Sequence, residues 1–477
     1  VTVSIVATET SNLTVISTPG LVFGGGFTFL QLALGYIIGR IVVAMVLLPR
    51  YFKGNQPTAY AYLGKRFGSA LQSTASVTFI ITRLLAEGVR LFAGAIPIQA
   101  IFAHYGINTQ YWQIVVLLTF LTVIYAFVGG IKSVIWVDLI QWSLYILGAI
   151  GAVIWLATKV PSGWASSALH QGAFHFFEFG KSVLTYPYAF FAAIIGGAFL
   201  SMASHGADQL IVQRLLACKS LRDGQRAVIA SGIVVFIQFA LYSLIGAMVF
   251  ILEGGSTGST AKAITAGTTT SDTVFPNFIV NDLPVGLSGL LIAGILAATM
   301  GALASALNTM STSTVADLYQ RFTKRKPEDS AILRHGRVWT LVWAAVFAVF
   351  ASLWTNTKTP TIQLGLAIAG YTYGALLGAF FLGIFVKRAR QGEAIAAFLS
   401  SVVVMAFVLL FVKFDPTNGI HISFGLTSTK KLLTLGSYWN TLAGVIISLV
   451  VGGLLSLRHN GPAPEAAEAE QEQPIAA

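Results

Sequence analysis

Twelve stretches of this chain are apolar over about twenty residues each, the length an α-helix needs to cross the hydrocarbon core of a bilayer. They run approximately over 3–22, 27–49, 70–104, 112–128, 133–157, 186–204, 227–252, 287–313, 338–354, 361–385, 392–412 and 439–457. Soluble domains carry roughly 25% charged residues. This chain carries 10%, against 55% hydrophobic, too little polar skin to cover such a surface in water. Lipid solvates apolar faces directly, so the expected fold class is an all-α polytopic membrane protein. The 47 glycines agree, because small residues let membrane helices pack closely and mark broken ones.

The formal charge of +11 is distributed by side. With the first span entering from the inside, 19 of the 29 Lys and Arg residues fall in inner loops and seven in outer loops. Arg40, Arg83 and Arg90 lie within spans, and no outer loop holds an Arg. This asymmetry follows the positive-inside rule, places the chain in a cell membrane with its C-terminus cytoplasmic, and removes the need for a nucleic-acid partner. The single Cys218 excludes an internal disulfide, and the seven histidines show no metal-catalytic spacing. An enzyme is therefore not expected. No cleavable leader is visible, and the tail at 458–477 reads as disordered.

The first span is the least lipid-like. Between Ala7 and Gly20 it places Thr8, Glu9, Thr10, Ser11, Asn12, Thr14, Ser17, Thr18 and Pro19. Such a segment has to face protein or a wet cavity. Local unwinding would free carbonyl oxygens for a small cation and hydrogen bonds for a solute, whereas a polar seam between helices would use the same residues. Glu9 favours the site, since an ionisable group at that depth is a functional candidate. In the third span Arg83, Glu87 and Arg90 form a ladder on one helix face. Glu87 can neutralise one arginine; the other is left for Glu9 or for an anionic group of the solute. Gly129 and Gly130 are expected to make a tight inner turn, with Asp138 about one and a half turns into the next helix as a gate ion pair or a cation waypoint.

Four motifs then occur in order: PTAYAYLGKRFG at 57–68, VGGIKSVIWVDLIQ at 128–141, GADQLIVQRLLACKS at 206–220 and LASALNTMSTSTVADLYQRF at 303–322. Together they resemble the sodium/solute symporter family. The resemblance implies a leucine-transporter-like core of two inverted repeats, here 1–157 and 186–385, of five transmembrane helices each. A loop at 158–185, two added helices within 386–457 and the tail complete the division. The broken helices would be the first and the sixth. Family members carry one more helix ahead of the broken one, so upstream residues are expected to precede this sequence.

The resemblance also implies a sodium site with carbonyls of Ala7, Thr10 and Ala298, with Ser305 retaining an oxygen and Asp138 as a second waypoint. The family's two hydroxyl positions fall on Gly301 and Ala302, which have none. Na⁺ is the expected coupling ion by resemblance; Thr8, Thr10, Thr299 or water are candidate replacements for the lost oxygens. Proton coupling through Glu9 or Asp138, and uncoupled transport, stay open. Solute positions fall on Glu9, Ser11, Thr14, Gln31, Arg90, Gln363 and Tyr371. Arg90 matches an arginine that holds a solute carboxylate, so the solute is expected to bear a carboxylate or to be amino-acid-like; pairing of Arg90 with Glu9 would make a sugar competitive. The implied function is secondary active transport of a small organic solute by alternating access. A solute-sensing membrane module is the rival, and would need a soluble output domain that the short acidic tail does not offer.

Overall fold

The computed structural model describes residues 2–10, 12–53, 58–104, 106–319, 329–353, 361–415, 419–422 and 434–463. For residues 125–138, Thr8 and a few other positions it describes only the backbone. The fold is nearly all helical, as it must be where no water is present to satisfy backbone N–H and C=O groups. In chain order the helices are α1 (Thr2–Glu9), α2 (Asn12–Gly25), α3 (Phe29–Val42), α4 (Leu48–Lys53), α5 (Ala59–Phe67) and α6 (Ser69–His104). They continue as α7 (Tyr111–Ala157), α8 (Trp164–His170), α9 (Gly197–Gly206), α10 (Gln209–Leu216), α11 (Leu221–Leu252) and α12 (Ser259–Thr265). The rest are α13 (Val274–Asn281), α14 (Val285–Ser313), α15 (Asp329–Ser352), α16 (Thr361–Phe385), α17 (Gln391–Phe411) and α18 (Trp439–Ser456).

Among the described residues, eight stretches are long and apolar enough to cross a membrane, one of them the helical run from Asn12 to Phe52. The helices α6, α14, α16, α17 and α18 match the expected spans to within a few residues. One feature is added and one expectation changes. The addition is a small antiparallel ribbon, β1 (Val412–Asp415) paired with β2 (Gly419–Ile422). Val, Phe and Ile in these short runs favour extended backbone once α17 has ended. The change is the turn at Gly129–Gly130, which does not form: the backbone of α7 runs unbroken through 47 residues, about 70 Å. A glycine pair permits a turn without compelling one; each costs a helix only about 1 kcal/mol relative to Ala.

The chain forms two compact units, one of residues 1–33, 83–178 and 230–366 and the other of residues 34–82, 179–229 and 367–477. The second unit explains two of the sequence motifs. Thr58 caps α5 by accepting from Ala61 N at 3.1 Å. At the far end of α5, Arg66 donates to the carbonyls of Gly383 (3.3 Å), Ala389 (3.1 Å), Val386 (3.2 Å) and Lys387 (3.1 Å). These are the end of α16 and the residues just beyond it, where helix carbonyls lack internal partners. Asp208, fully buried, caps α10 through Leu210 N at 2.9 Å and accepts from the Tyr373 hydroxyl. Gln209 Oε1 accepts from Ala59 N at 2.6 Å, so α5 and α10 are pinned together. The sixth expected span is interrupted, with a π-helical turn at Ala192–Gly196 ahead of α9.

In the first unit, α2 is held by backbone contact. A β-carbon on Gly20 would lie 2.0 Å from Ser271 O, and one on Gly246 would lie 2.3 Å from Pro19 O. Phe23 stacks edge-on against Phe250 at 5.2 Å. Around them Val22, Ala168, Ala247, Ile251 and Ala261 form one buried cluster joining α2, α8, α11 and α12. The long loops after α7 and α11 are therefore packed helical caps on α2.

Candidate functional site

The first helix is broken where the polar residues concentrate. Helix α1 ends at Glu9, Thr10 is not helical, and α2 begins at Asn12. Ser11 lies outside the described residues. Breaking a helix frees N–H and C=O groups that need other partners. Side-chain amides occupy the gap. Thr10 Oγ1 donates to Gln238 Oε1 at 2.9 Å, and Trp142 Nε1 donates to the same oxygen at 3.2 Å. Asn12 Nδ2 donates to the Arg90 carbonyl at 2.7 Å and to Thr299 Oγ1 at 2.9 Å. The break is thereby tied to α6, α7, α11 and α14. Asn12 Oδ1 and Gln238 Nε2 are buried and have no partner among the described residues, so the region retains unspent polarity.

The ladder on α6 is a buried triad rather than a pair with a spare. Glu87 Oε1 accepts from Arg83 Nη1 at 3.1 Å and from Arg90 Nη1 at 2.6 Å. The Glu87 side chain is 1% exposed, Arg83 6% and Arg90 20%. Arg90 thus has only a share in one carboxylate, uses one of its five donors on it, and is the more open end of the triad.

The other residues singled out from the sequence fall as follows. Ala7 is half-buried in the last turn of α1, and Glu9 is half-buried at its end. Thr10 (3% exposed), Thr14, Ala298 and Ser305 are buried. Gln31 is fully buried; its amide donates to Thr28 O at 3.1 Å and accepts from Glu178 N at 3.3 Å, holding a loop to α3. Gln363 is half-buried and belongs to the same unit as Glu9 and Arg90, whereas Tyr371 belongs to the other. Asp138 is on α7, with only its backbone described. Two candidate replacement hydroxyls are already engaged: Thr10 with Gln238, and Thr299 with Asn12 and the Ile295 carbonyl. A cavity of about 480 Å³ in this unit lies away from Glu9, at the C-terminal end of α6, lined by Gln99, Asn108, Thr109, Thr273 and Asn277.

The fit to a sodium ion can be judged at Gly301, where the hydroxyl is missing. The space is not open: a β-carbon there would lie 2.5 Å from Gln141 Oε1 and 2.8 Å from Gln141 Nε2. A carboxamide thus stands where the family pattern places a hydroxyl. An amide oxygen is of the same kind as the carbonyls and hydroxyl that the resemblance assigns to Ala7, Thr10, Ala298 and Ser305, the kind a hard cation takes. Among the described residues no cluster of three His, Cys, Asp or Glu could hold a divalent metal. Gln141 and Gln238 are not singled out by the sequence reading: Gln141 closes the motif at 128–141, and each is a lone amide inside an apolar span.

The family model for the sodium:solute symporter family matches residues 1–401. The chain is 28% identical over 421 residues to a sodium/sialic acid symporter of Proteus mirabilis, covering 84% of this chain and 79% of the relative. It is 26% identical to the sodium-coupled monocarboxylate transporter 1 of Homo sapiens, covering 97% and 80%. Its fold is similar to a solved Na⁺-coupled sialic acid symporter in a substrate-bound outward-open state, with a TM-score of 0.76 and 24% identity over 97% of this chain and 90% of that one. It is also similar to Mhp1, a nucleobase-cation-symport-1 family transporter, with a TM-score of 0.59 and 11% identity over 99% and 96%. The fold shared with both is the expected leucine-transporter-like one. The broken first helix, the buried charges of α6 and the match over most of the chain lead to one conclusion: the chain belongs to the sodium:solute symporter family and is a multi-pass membrane transporter, not an enzyme.

Proposed function

We propose that this protein is a sodium-coupled symporter of a small carboxylate-bearing solute, bound between the break in the first helix and Arg90. The observation that carries the reading is the triad: Glu87 is divided between two arginines, and Arg90, its more exposed end, makes no other ion pair among the described residues. An anionic solute group completes the neutralisation of Arg90, and a planar guanidinium suits a carboxylate. Asn12 fixes the Arg90 backbone against the start of α2, so the arginine and the break form one site. Relatives named for sialic acid and monocarboxylates agree with an acidic solute.

In this reading Glu9, Ser11, Thr14, Gln31 and Gln363 contact or shape the solute. The carbonyls of Ala7, Thr10 and Ala298, with Ser305 and Asp138, hold sodium, whose bound charge biases the transporter toward one of its two states. Coupling requires that ion and solute each bind one state better than the other. The repeats at 1–157 and 186–385 would rock about the fixed site. The excess of Lys and Arg in the expected inner loops supports a cytoplasmic C-terminus. Uptake into proteoliposomes tests the solute class. Arg90→Ala should raise the KM for a carboxylate solute about tenfold or more, the loss of a charge-assisted bond of ~1.5–3 kcal/mol. An unchanged KM moves the solute to a neutral class.

A further inference from the structure

Gln141 is 5% exposed and lies on α7. Its carboxamide is directed at Gly301, a buried position of α14 with no side chain: Oε1 would be 2.5 Å, Nε2 2.8 Å and Cδ 3.0 Å from a β-carbon there. The next residue, Trp142, donates to Gln238 Oε1, the same oxygen that receives the Thr10 hydroxyl. Trp142 thus ties the part of α7 that carries Gln141 to the helix break, and Gly301 belongs to the same unit.

We infer that the Gln141 carboxamide oxygen is a ligand of the coupling cation beside Gly301, in place of the hydroxyl this helix lacks. The inference rests on the sodium-coupled reading above. An amide oxygen is a good ligand for a hard cation, and it carries no formal charge. With the backbone carbonyls of Ala7, Thr10 and Ala298 it gives a set of neutral donors at this point, which suits a monovalent ion. The glycine is then explained as well: a side chain at 301 would take the volume the amide fills.

The test is thermal melting of the purified protein in detergent, titrated with NaCl against KCl at matched ionic strength, since a ligand of the folded state raises stability in proportion to its affinity. The wild type should be stabilised by sodium. Gln141→Leu should shift half-saturation upward about tenfold or more, the loss of one ligand in a small set, while Gln141→Glu keeps an oxygen and keeps sodium binding. Gly301→Ser should restore sodium stabilisation in a Gln141→Ala background but give no gain in the wild type, where serine and amide compete for one space. A Gln141→Leu protein with wild-type sodium response, or a Gly301→Ser gain of equal size in both backgrounds, overturns the assignment alone. A wild type that sodium does not stabilise overturns the sodium reading with it.

Discussion

Replacing Glu87 with glutamine removes the only negative charge in the α6 triad while keeping its shape. The wild-type arrangement has Glu87 Oε1 at 2.6 Å from Arg90 Nη1 and 3.1 Å from Arg83 Nη1, with the carboxylate side chain 1% exposed. Each pair of opposite charges about 4 Å apart is worth roughly 4 kcal/mol at the effective dielectric suited to protein sites. Part of this disappears into desolvation, and Arg90, at 20% exposure, recovers some hydration when its partner is lost. The expected cost is therefore ~3–5 kcal/mol, the range for breaking a buried ion pair. Denaturation of the purified protein, followed by tryptophan fluorescence, measures it. The double variant Arg83→Met with Glu87→Gln returns the triad to its wild-type net charge, so it should recover most of the loss. A single variant within ~1 kcal/mol of wild type, or a double variant no more stable than the single, would refute the reasoning.

Other tests address separate parts of the structure. Gly20→Val should destabilise the protein by several kcal/mol, because its β-carbon would meet the Ser271 carbonyl at 2.0 Å; chemical denaturation reads this directly, and a neutral result would mean α2 is not held there. Arg66→Met should lose ~2–5 kcal/mol, since four carbonyls at the end of α16 lose their donor; Arg66→Lys should recover only a part. Asp272, buried in the connection between α12 and α13, accepts from Thr361 N at 2.7 Å, yet burial raises its pKa against the lowering by Ser17 and Thr361. The folded state then binds more protons than the unfolded one, so stability falls as pH rises from the ordinary aspartate range toward the raised value. Asp272→Asn should remove that slope in a melting-temperature profile, and a profile unchanged from wild type would count against it.

Much of this architecture is legible in the sequence, and the limits have physical causes. Hydrophobic length alone locates 287–313 and 361–385, found as Val285–Ser313 and Thr361–Phe385, because lipid imposes both length and polarity on a crossing helix. The break after Glu9 follows from a run of hydroxyls, an amide and a carboxylate that lipid would not tolerate. What pattern does not supply is partner choice over long separations. Thr10 meets Gln238 across 228 positions, and Asn12 meets Thr299 across 287. Gln141 lies inside a motif whose glycines and aspartate draw the eye, but only the fold reveals that its amide meets Gly301. The same limit applies to Glu87, whose position shows that it can neutralise one arginine but not that it is shared between two. The glycine pair at 129–130 misleads because absence of a β-carbon allows a bend and leaves the choice to the surroundings.

If solute and sodium share the interrupted first helix and Arg90, one measurement tests it most directly. It is initial uptake of a panel of labelled solutes into proteoliposomes, each run with an inward sodium gradient, an inward proton gradient and no gradient. Accumulation of a carboxylate-bearing solute that requires the sodium gradient and collapses in Glu9→Gln and Arg90→Ala is the predicted result. Carboxylate uptake that is indifferent to sodium, or that both variants support at the wild-type rate, would contradict it.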